Sequence, residues 1–263
     1  MMYKVSIITV NLNNGPGLER TIKSVLSQTF SDFEYLVIDG ASTDSSSEVL
    51  SRYSNRIDYW VSEPDKGVYQ AMNKGIRASS GDYVWFLNSG DTFADTCALE
   101  KMMAACNGED ILYGDLMLQE GKKMWRKNYP DKVRLSHLLF EALPHPAMMA
   151  KRALLIELKG FDESLRIVAD WAFYTLAIFK NNASYKHLAE PLSLFYFDGL
   201  SSKVENQELI ENEKRKVLDN HFHNLLQEME DLIKLNAVRD RLNQSKTLRL
   251  LNAFRILKMT DIL

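Results

Sequence analysis

Hydrophobic and polar positions alternate in two distinct rhythms over the first hundred residues. Residues 4–10 (Lys-Val-Ser-Ile-Ile-Thr-Val) are β-rich and nearly all apolar, the pattern of a strand buried in a parallel sheet. A polar loop follows from Asn11 to Gly17, and Leu18, Ile22, Val25 and Leu26 then recur at helical spacing as far as Gln28. Residues 34–38 predict a second strand ending at Asp39-Gly40. The turn Ala41-Ser42-Thr43-Asp44 supplies N-cap residues for a helix through Tyr53. A third strand is expected from Ile57 to Val61, a third helix from Lys66 to Ala78, and a fourth strand from Tyr83 to Leu87, stopping at Asn88-Ser89-Gly90-Asp91. Strand and helix alternating at this pace imply right-handed βαβ units and a doubly wound, mostly parallel central sheet of the α/β class.

Beyond about residue 115 the rhythm changes. Residues 116–129 read as a short meander turning at Gly121, His137 to Leu143 as a short helix, and His145-Pro146 as a bend before Ala147 to Ala150. Val168 to Phe179 is helical, with Trp171, Tyr174 and Ile178 on one face. From residue 204 the chain is rich in Glu, Lys, Asn and Leu, with Leu218, Phe222, Leu225, Met229, Leu232 and Leu235 at helical spacing. Two or three helices are expected over 204–263, appended to a core domain at 1–203.

Composition narrows the function classes. The chain has 263 residues, 46% hydrophobic and 25% charged, with a net charge of −3, so a sizeable core is available. The near-neutral balance removes the bulk electrostatic case for nucleic acid. Cys97 and Cys106 sit nine apart in a predicted helix and read as buried, reduced thiols, with no metal-type Cys/His spacing. Neither a secretory apolar region nor a stretch of about 18 apolar residues occurs, so a cytoplasmic protein is expected.

Ligands of doubly wound sheets bind beyond the C-terminal strand ends, which directs attention to Asn11, Asp39 and Asp91. An acid at the position of Asp91 can hold a divalent cation through hard oxygen ligands, or cap the next helix. A carboxylate like Asp39 can accept hydrogen bonds from a base or ribose, or close an Asp-Gly turn. Asp170 lies between Ala169 and Trp171 at a helix start, where it could serve as a general base or as a partner of the helix dipole. His145 could meet a ligand or be structural. Neither G-x-G-x-x-G after the first strand nor a P-loop signature is present, so a nicotinamide dehydrogenase or P-loop enzyme fits poorly.

Taken together, the motifs resemble those of family 2 glycosyltransferases, which have the GT-A nucleotide-diphospho-sugar fold. The resemblance runs through Val5–Asn13, Thr21–Thr29, Tyr35–Asp44, Ser62–Gly75 and Gly81–Asp91. Weaker matches follow at His145-Pro146, Gly160-Phe161-Asp162-Glu163, Ala169-Asp170-Trp171 and residues 197–202. It implies a nucleotide-sugar half at 1–115 and an acceptor half at 116–203. By the same resemblance, Thr9 and Asn11 line the nucleotide pocket, Asp39 meets the base, and Lys66 and Asn73 lie in the segment closing over the nucleotide. Asn88-Ser89-Gly90-Asp91 stands where the family has its Asp-x-Asp motif, so Asn88 and Asp91 face the donor and Asp91 binds Mg²⁺ or Mn²⁺. Asp170 matches the catalytic base. Asn88 and Gly90 depart from that motif, leaving Asp91 and the substrate's phosphates to hold the metal. The Gln-x-x-Arg-Trp motif of processive members is absent, which implies a non-processive enzyme of hexosyltransferase type.

What the resemblance implies is inverting transfer from a nucleotide-diphospho-sugar, with UDP as the nucleotide, to a glycan or lipid-linked sugar acceptor in polysaccharide biosynthesis. A sugar-1-phosphate nucleotidyltransferase and a non-catalytic nucleotide-sugar-binding or assembly protein are the alternatives. The first lacks its Gly-rich signature after the first strand, and retention of Asp91 and Asp170 disfavours the second. Trp125, Tyr129, His137, Trp171 and Tyr174 are either acceptor-stacking residues or core. Arg241, Lys246, Arg249, Arg255 and Lys258 against Asp261, with Leu250, Phe254 and Leu257 on one helical face, make a basic amphipathic terminus. Such a segment could contact the inner membrane surface or pack on the core or a second subunit as a homo-oligomer.

Overall fold

The computed structural model describes residues 4–196 and 204–244. Its first half builds the expected βαβ succession: β1 (Val5–Asn11), α1 (Gly15–Leu26), β2 (Phe33–Asp39), α2 (Ser46–Tyr53), β3 (Tyr59–Ser62), α3 (Val68–Ala78) and β4 (Tyr83–Phe86). These four strands pair in parallel in the order β3-β2-β1-β4. They are apolar because β1, β2 and β4 are covered on both faces. Ile7 turns to the α1 side with Leu18 and Ile22, while Ile8 turns to α3. The last contact is close, since a Cβ on Gly75 would lie 2.6 Å from Ile8 Cγ2.

The second half extends the same sheet with mixed polarity: β5 (Thr92–Phe93), α4 (Ala98–Ala105), β6 (Ile111–Glu120), β7 (Lys123–Lys127), α5 (Leu135–Phe140), β8 (Met148–Lys151), α6 (Arg152–Glu157), α7 (Ala169–Phe179) and β9 (Tyr185–Tyr196). The order continues β4-β8-β6-β9-β5, with β8 antiparallel to both β4 and β6, β9 parallel to β6, and β7 forming a hairpin with β6. Trp85 lies beside Met149, and Met149 beside Leu112. Counting along β6 from there brings Asp115 level with Asn88, just past the end of β4. The five residues after Asp115 therefore carry β6 about 17 Å beyond the edge where the parallel strands stop. β9 follows it out, and β5, directly after Asp91, pairs back onto β9 at Thr92 and Leu194.

Several expectations need adjustment. Cys97 and Cys106 flank α4 and are partly exposed, not buried, because the helix faces the core through Ala98, Leu99 and Met102. The short helix expected from His137 begins earlier, at Leu135. Residues 207–244 are helical as α8 (Gln207–Gln244), interrupted at Phe222, whose φ of −133° is not helical. The division between two compact units falls between Lys214 and Arg215, so the first two turns of α8 belong with the sheet. The basic amphipathic terminus lies outside the described residues from 245 onward. Among the described residues, no helix is long and apolar enough to cross a membrane.

The Gly75 approach is testable. Gly75→Ala forces a methyl into Ile8 and should cost about 1–3 kcal/mol. Urea unfolding should show a lower midpoint with an unchanged slope; an unchanged midpoint would mean that α3 has room to move.

Candidate functional site

The exit of the parallel strands is organised around one buried carboxylate. Asp39, 1% exposed, accepts hydrogen bonds from Asn11 Nδ2 (2.7 Å) and Ser42 Oγ (2.6 Å) on Oδ1, and from Ser42 N (2.9 Å) and Ser62 Oγ (2.6 Å) on Oδ2. Burial pushes its pKa up, but these donors outweigh burial and hold it below the ordinary carboxylate value. The contact to Asp39 fixes which way the Asn11 amide points, because only the NH₂ can face a carboxylate. Asn11 Oδ1 is thereby left buried with no hydrogen-bond partner. Asn11 and Asp39 do converge, joined by that 2.7 Å hydrogen bond.

The Asn88–Asp91 turn is built from α1. Thr21 Oγ1 approaches the carbonyl oxygens of Asp91 (2.7 Å) and Asn88 (3.3 Å), and accepts from Gly90 N (3.0 Å). Arg20 Nε donates to Gly90 O (2.9 Å) and Asn14 Nδ2 to Ser89 O (3.1 Å). Asn14, Arg20 and Thr21 went unnoticed as site residues; their signal was the polar cluster at the start of α1. Gly90 has φ of +112°, in the left-handed region that favours glycine. The departure from the acidic motif at Gly90 thus has a backbone reason. Asp91 is buried at 8% exposure, and Asn88 Oδ1 in the same turn is buried with no hydrogen-bond partner.

An unpartnered amide oxygen and a carboxylate in one short turn supply the hard-oxygen chemistry a divalent cation takes. Among the described residues no cluster of three or more His, Cys, Asp or Glu could hold a metal. The turn therefore fits a metal as a partial ligand set, one that diphosphate oxygens would complete.

Other predicted residues behave differently. Thr9 is fully buried and donates to Leu87 O (2.8 Å), with Tyr35 Oη at 3.0 Å, so it faces the sheet interior, not an open pocket. Asn73 is engaged with another loop: its Nδ2 donates to Phe161 O (2.8 Å) and Glu163 Oε1 (2.9 Å), and its Oδ1 accepts from Phe161 N (2.9 Å). It clamps Gly160–Glu163 against α3 and has no amide left over to close on a ligand. Lys66 is exposed, its N–H donating to Gln70 Oε1 (2.9 Å). The nearby ion pairs belong to Lys74, with Asp65 (2.5 Å) and Glu63 (2.8 Å).

Asp170 stands in the first turn of α7, and Tyr69 Oη of α3 lies 2.8 Å from its Oδ1 while also touching the Ile167 carbonyl. Burial and the Asp170 charge together drive the Tyr69 pKa well up, so the phenol stays protonated and donates. His145 is half-buried, and desolvation pushes its pKa down against the opposing charge of Asp170. Its Nε2 has no partner, and its ring stacks on Phe86 at 5.7 Å, the last residue of β4 before Asn88. This ring contact joins His145 to the end of β4, two residues before Asn88. Trp171 donates through Nε1 to Leu138 O (2.7 Å), and Tyr174 is buried, so both are packing residues. Trp125 and Tyr129 pack half-buried on the core.

One cluster escaped sequence reasoning entirely. Asp115, 1% exposed, accepts from Arg126 Nε (3.0 Å) and Nη2 (2.6 Å) and from Tyr129 N (2.8 Å), and contacts His187 Nε2 (3.0 Å). His187 Nδ1 meets Asp131 at 2.7 Å. A hollow of about 490 Å³ opens here, lined by Asp115, Arg126, Tyr129, Asp131 and His187, and a second of about 480 Å³ adjoins His137, Leu138 and Leu143. The available signal was an aspartate inside the apolar run Leu112–Leu118.

Comparison with known proteins follows the same outline. The sequence model described as Glycosyl transferase family 2 matches residues 6–154, more than half of the chain. An uncharacterized glycosyltransferase of Mycobacterium tuberculosis is 36% identical over 174 residues, 64% of this chain and 66% of the relative. The match thus spans slightly less than two thirds of that relative's length. Among solved structures, Staphylococcus aureus TarS 1–349 in complex with UDP-GlcNAc is similar with a TM-score of 0.64 and 19% identity, over 82% of this chain and 71% of that one. A mannosyltransferase from Pyrobaculum calidifontis in complex with GDP-Man and Mn²⁺ is similar with a TM-score of 0.56 and 17% identity, over 73% of this chain and 55% of that one. These two are likenesses of fold, and the fold class is α/β of the GT-A type.

The Asp39 network predicts an acid limb of stability. A folded-state pKa below the unfolded value of 3.8 stabilises fully above that value, and the contribution is lost as pH falls through the folded pKa. Asp39→Asn should be markedly less stable than the parent at pH 7, and the gap should narrow as pH drops below about 4. Urea titrations from pH 2 to 7 check this; a pH-independent gap would refute it.

Proposed function

Since the chain belongs to glycosyl transferase family 2, we propose that it transfers a sugar, with inversion, from a nucleotide-diphospho-sugar to an acceptor hydroxyl in glycan or surface polysaccharide synthesis. UDP is the nucleotide in this reading, and transfer is non-processive. The observations that support the reading are the unpartnered Asn11 Oδ1, on a side chain bonded to Asp39, the unpartnered Asn88 Oδ1 in the turn that holds Asp91, and Asp170, whose charge acts on the His145 ring stacked on Phe86 of β4.

In this mechanism Asp170 takes the proton of the acceptor hydroxyl while that oxygen attacks the anomeric carbon from the face opposite the diphosphate. The bond to the diphosphate oxygen breaks, and the nucleoside diphosphate leaves with the negative charge. Tyr69 orients the Asp170 carboxylate by its hydrogen bond. Asn11 and Asp39 receive the base, and Thr9 supports the strand beneath them. Asn73 and Lys66 border the segment beside the donor, Asn73 by fixing the Gly160–Glu163 loop. Asp91 and Asn88, together with the diphosphate, would hold Mg²⁺ or Mn²⁺; a bound cation offsets the charge growing on the leaving group. In this reading residues 1–115 form the donor half, residues 116–203 the acceptor half, and the chain from 204 onward a C-terminal appendage. The site of action is cytoplasmic, at or near the inner membrane face if the acceptor is lipid-linked.

Two substitutions test the roles separately. Asp170→Asn should lower transfer about 10²–10⁴-fold while nucleotide binding stays near the parent value; undiminished transfer would remove Asp170 from the role. Asp91→Ala should abolish the extra thermal stabilisation that Mn²⁺ gives in the presence of UDP, and an unaltered Mn²⁺ titration would count against it.

A further inference from the structure

The helix that carries Asp170 lacks a local N-cap. Its N-cap residue is Val168, which has no side-chain oxygen, and no side chain caps it locally. Even so, the three backbone N–H groups leading into it are all held by one distant carboxylate. Glu213, in the second turn of α8, accepts from Arg166 N on Oε1 (2.6 Å) and from Ile167 N (3.0 Å) and Val168 N (3.2 Å) on Oε2. Glu213 is 9% exposed, and among the described residues it forms no ion pair, an uncommon burial for a glutamate. The adjoining Lys214 sets its ammonium 5.1 Å over the ring of Trp171, the residue after Asp170. From the opposite side, Tyr69 touches both the Ile167 carbonyl and the Asp170 carboxylate.

We propose that Glu213 is a positioning residue for the catalytic base, so that the first two turns of α8 complete the active site. This rests on the reading of Asp170 as the base. A serine or aspartate at position 168 would satisfy the helix start, but it would fix that start only to its own helix. A carboxylate from α8 fixes peptide 166–168 to a second element, and its charge also suits the positive end of the α7 dipole. The peptide is then gripped through its N–H groups by Glu213 and through Ile167 O and Asp170 Oδ1 by Tyr69. Two opposed grips leave Asp170 little freedom to swing, and a displacement of about 1 Å at a reacting group costs on the order of 10²-fold in rate.

The test is a double-mutant cycle on the full chain. Its probe is hydrolysis of UDP-GlcNAc with Mn²⁺, water standing in as acceptor. Glu213→Ala should lower kcat about 10–100-fold with the KM for UDP-GlcNAc changed by less than about twofold. Glu213→Gln, which keeps the shape and one acceptor oxygen, should fall between it and the parent. In an Asp170→Asn background, Glu213→Ala should lower the residual rate no further, because the residue it positions is already disabled. An equal loss in both backgrounds, or an unchanged kcat, overturns the proposal. If the parent hydrolyses no nucleotide sugar, the transferase reading fails separately, and amide hydrogen exchange decides the clamp. Faster exchange confined to residues 166–170 in Glu213→Ala supports it, and unchanged protection there overturns it.

Discussion

A carboxylate removed from water must have its oxygens filled by donors, or the burial costs several kcal/mol. Asp39 meets that demand with donors from three places: the end of β1 through Asn11, the turn after β2 through Ser42, and the end of β3 through Ser62. Satisfying one buried charge therefore ties three strand exits together. It also dictates the orientation of the Asn11 amide and strands its oxygen as an unpartnered acceptor.

The next turn along the edge follows a similar logic with backbone in place of charge. Gly90 takes a conformation open to glycine, and Arg20 and Thr21 of α1 hold the carbonyls of Gly90 and Asp91. A second acid at Gly90 would have to adopt that strained φ. The chain thus keeps one carboxylate where the wider family motif has more. The long strands β6 and β9 then project past this edge, and β5, directly after Asp91, returns to pair with β9.

Three elements remote in sequence bear on Asp170. Tyr69 of α3 bonds its carboxylate, Glu213 of α8 holds the N–H groups just before it, and His145, from the segment before β8, feels its charge. Asn73 adds a fourth tie by clamping the loop at Gly160, where a φ of +72° and an oxygen 2.3 Å from any added Cβ exclude other residues. The ties made by Tyr69, Glu213 and Asn73 are hydrogen bonds, not exposed ion pairs, so salt screens them little.

The sequence by itself determined the parallel half of the sheet, because strands covered on both faces must be apolar along their length and helices between them must carry a one-sided stripe. It also marked Asn11, Asp39, Asp91 and Asp170, since polar residues at the ends of apolar strands, and an acid at a helix start, stand out against their neighbours. Residue types alone did not reveal which of these were engaged. Asn73 looked like a closing residue and is a clamp; Thr9 looked like a pocket wall and faces Leu87. Asp115 was hidden because an acid inside a strand has no local signature of the arginine and histidine brought to it by β7 and β9. Glu213 was hidden in a helix of many glutamates, where only the fold brings one of them to three backbone N–H groups some 45 residues away. Periodicity is a local property and survives in the sequence; the satisfaction of a buried charge or an uncapped helix is a matter of distance in space, which only the tertiary structure decides.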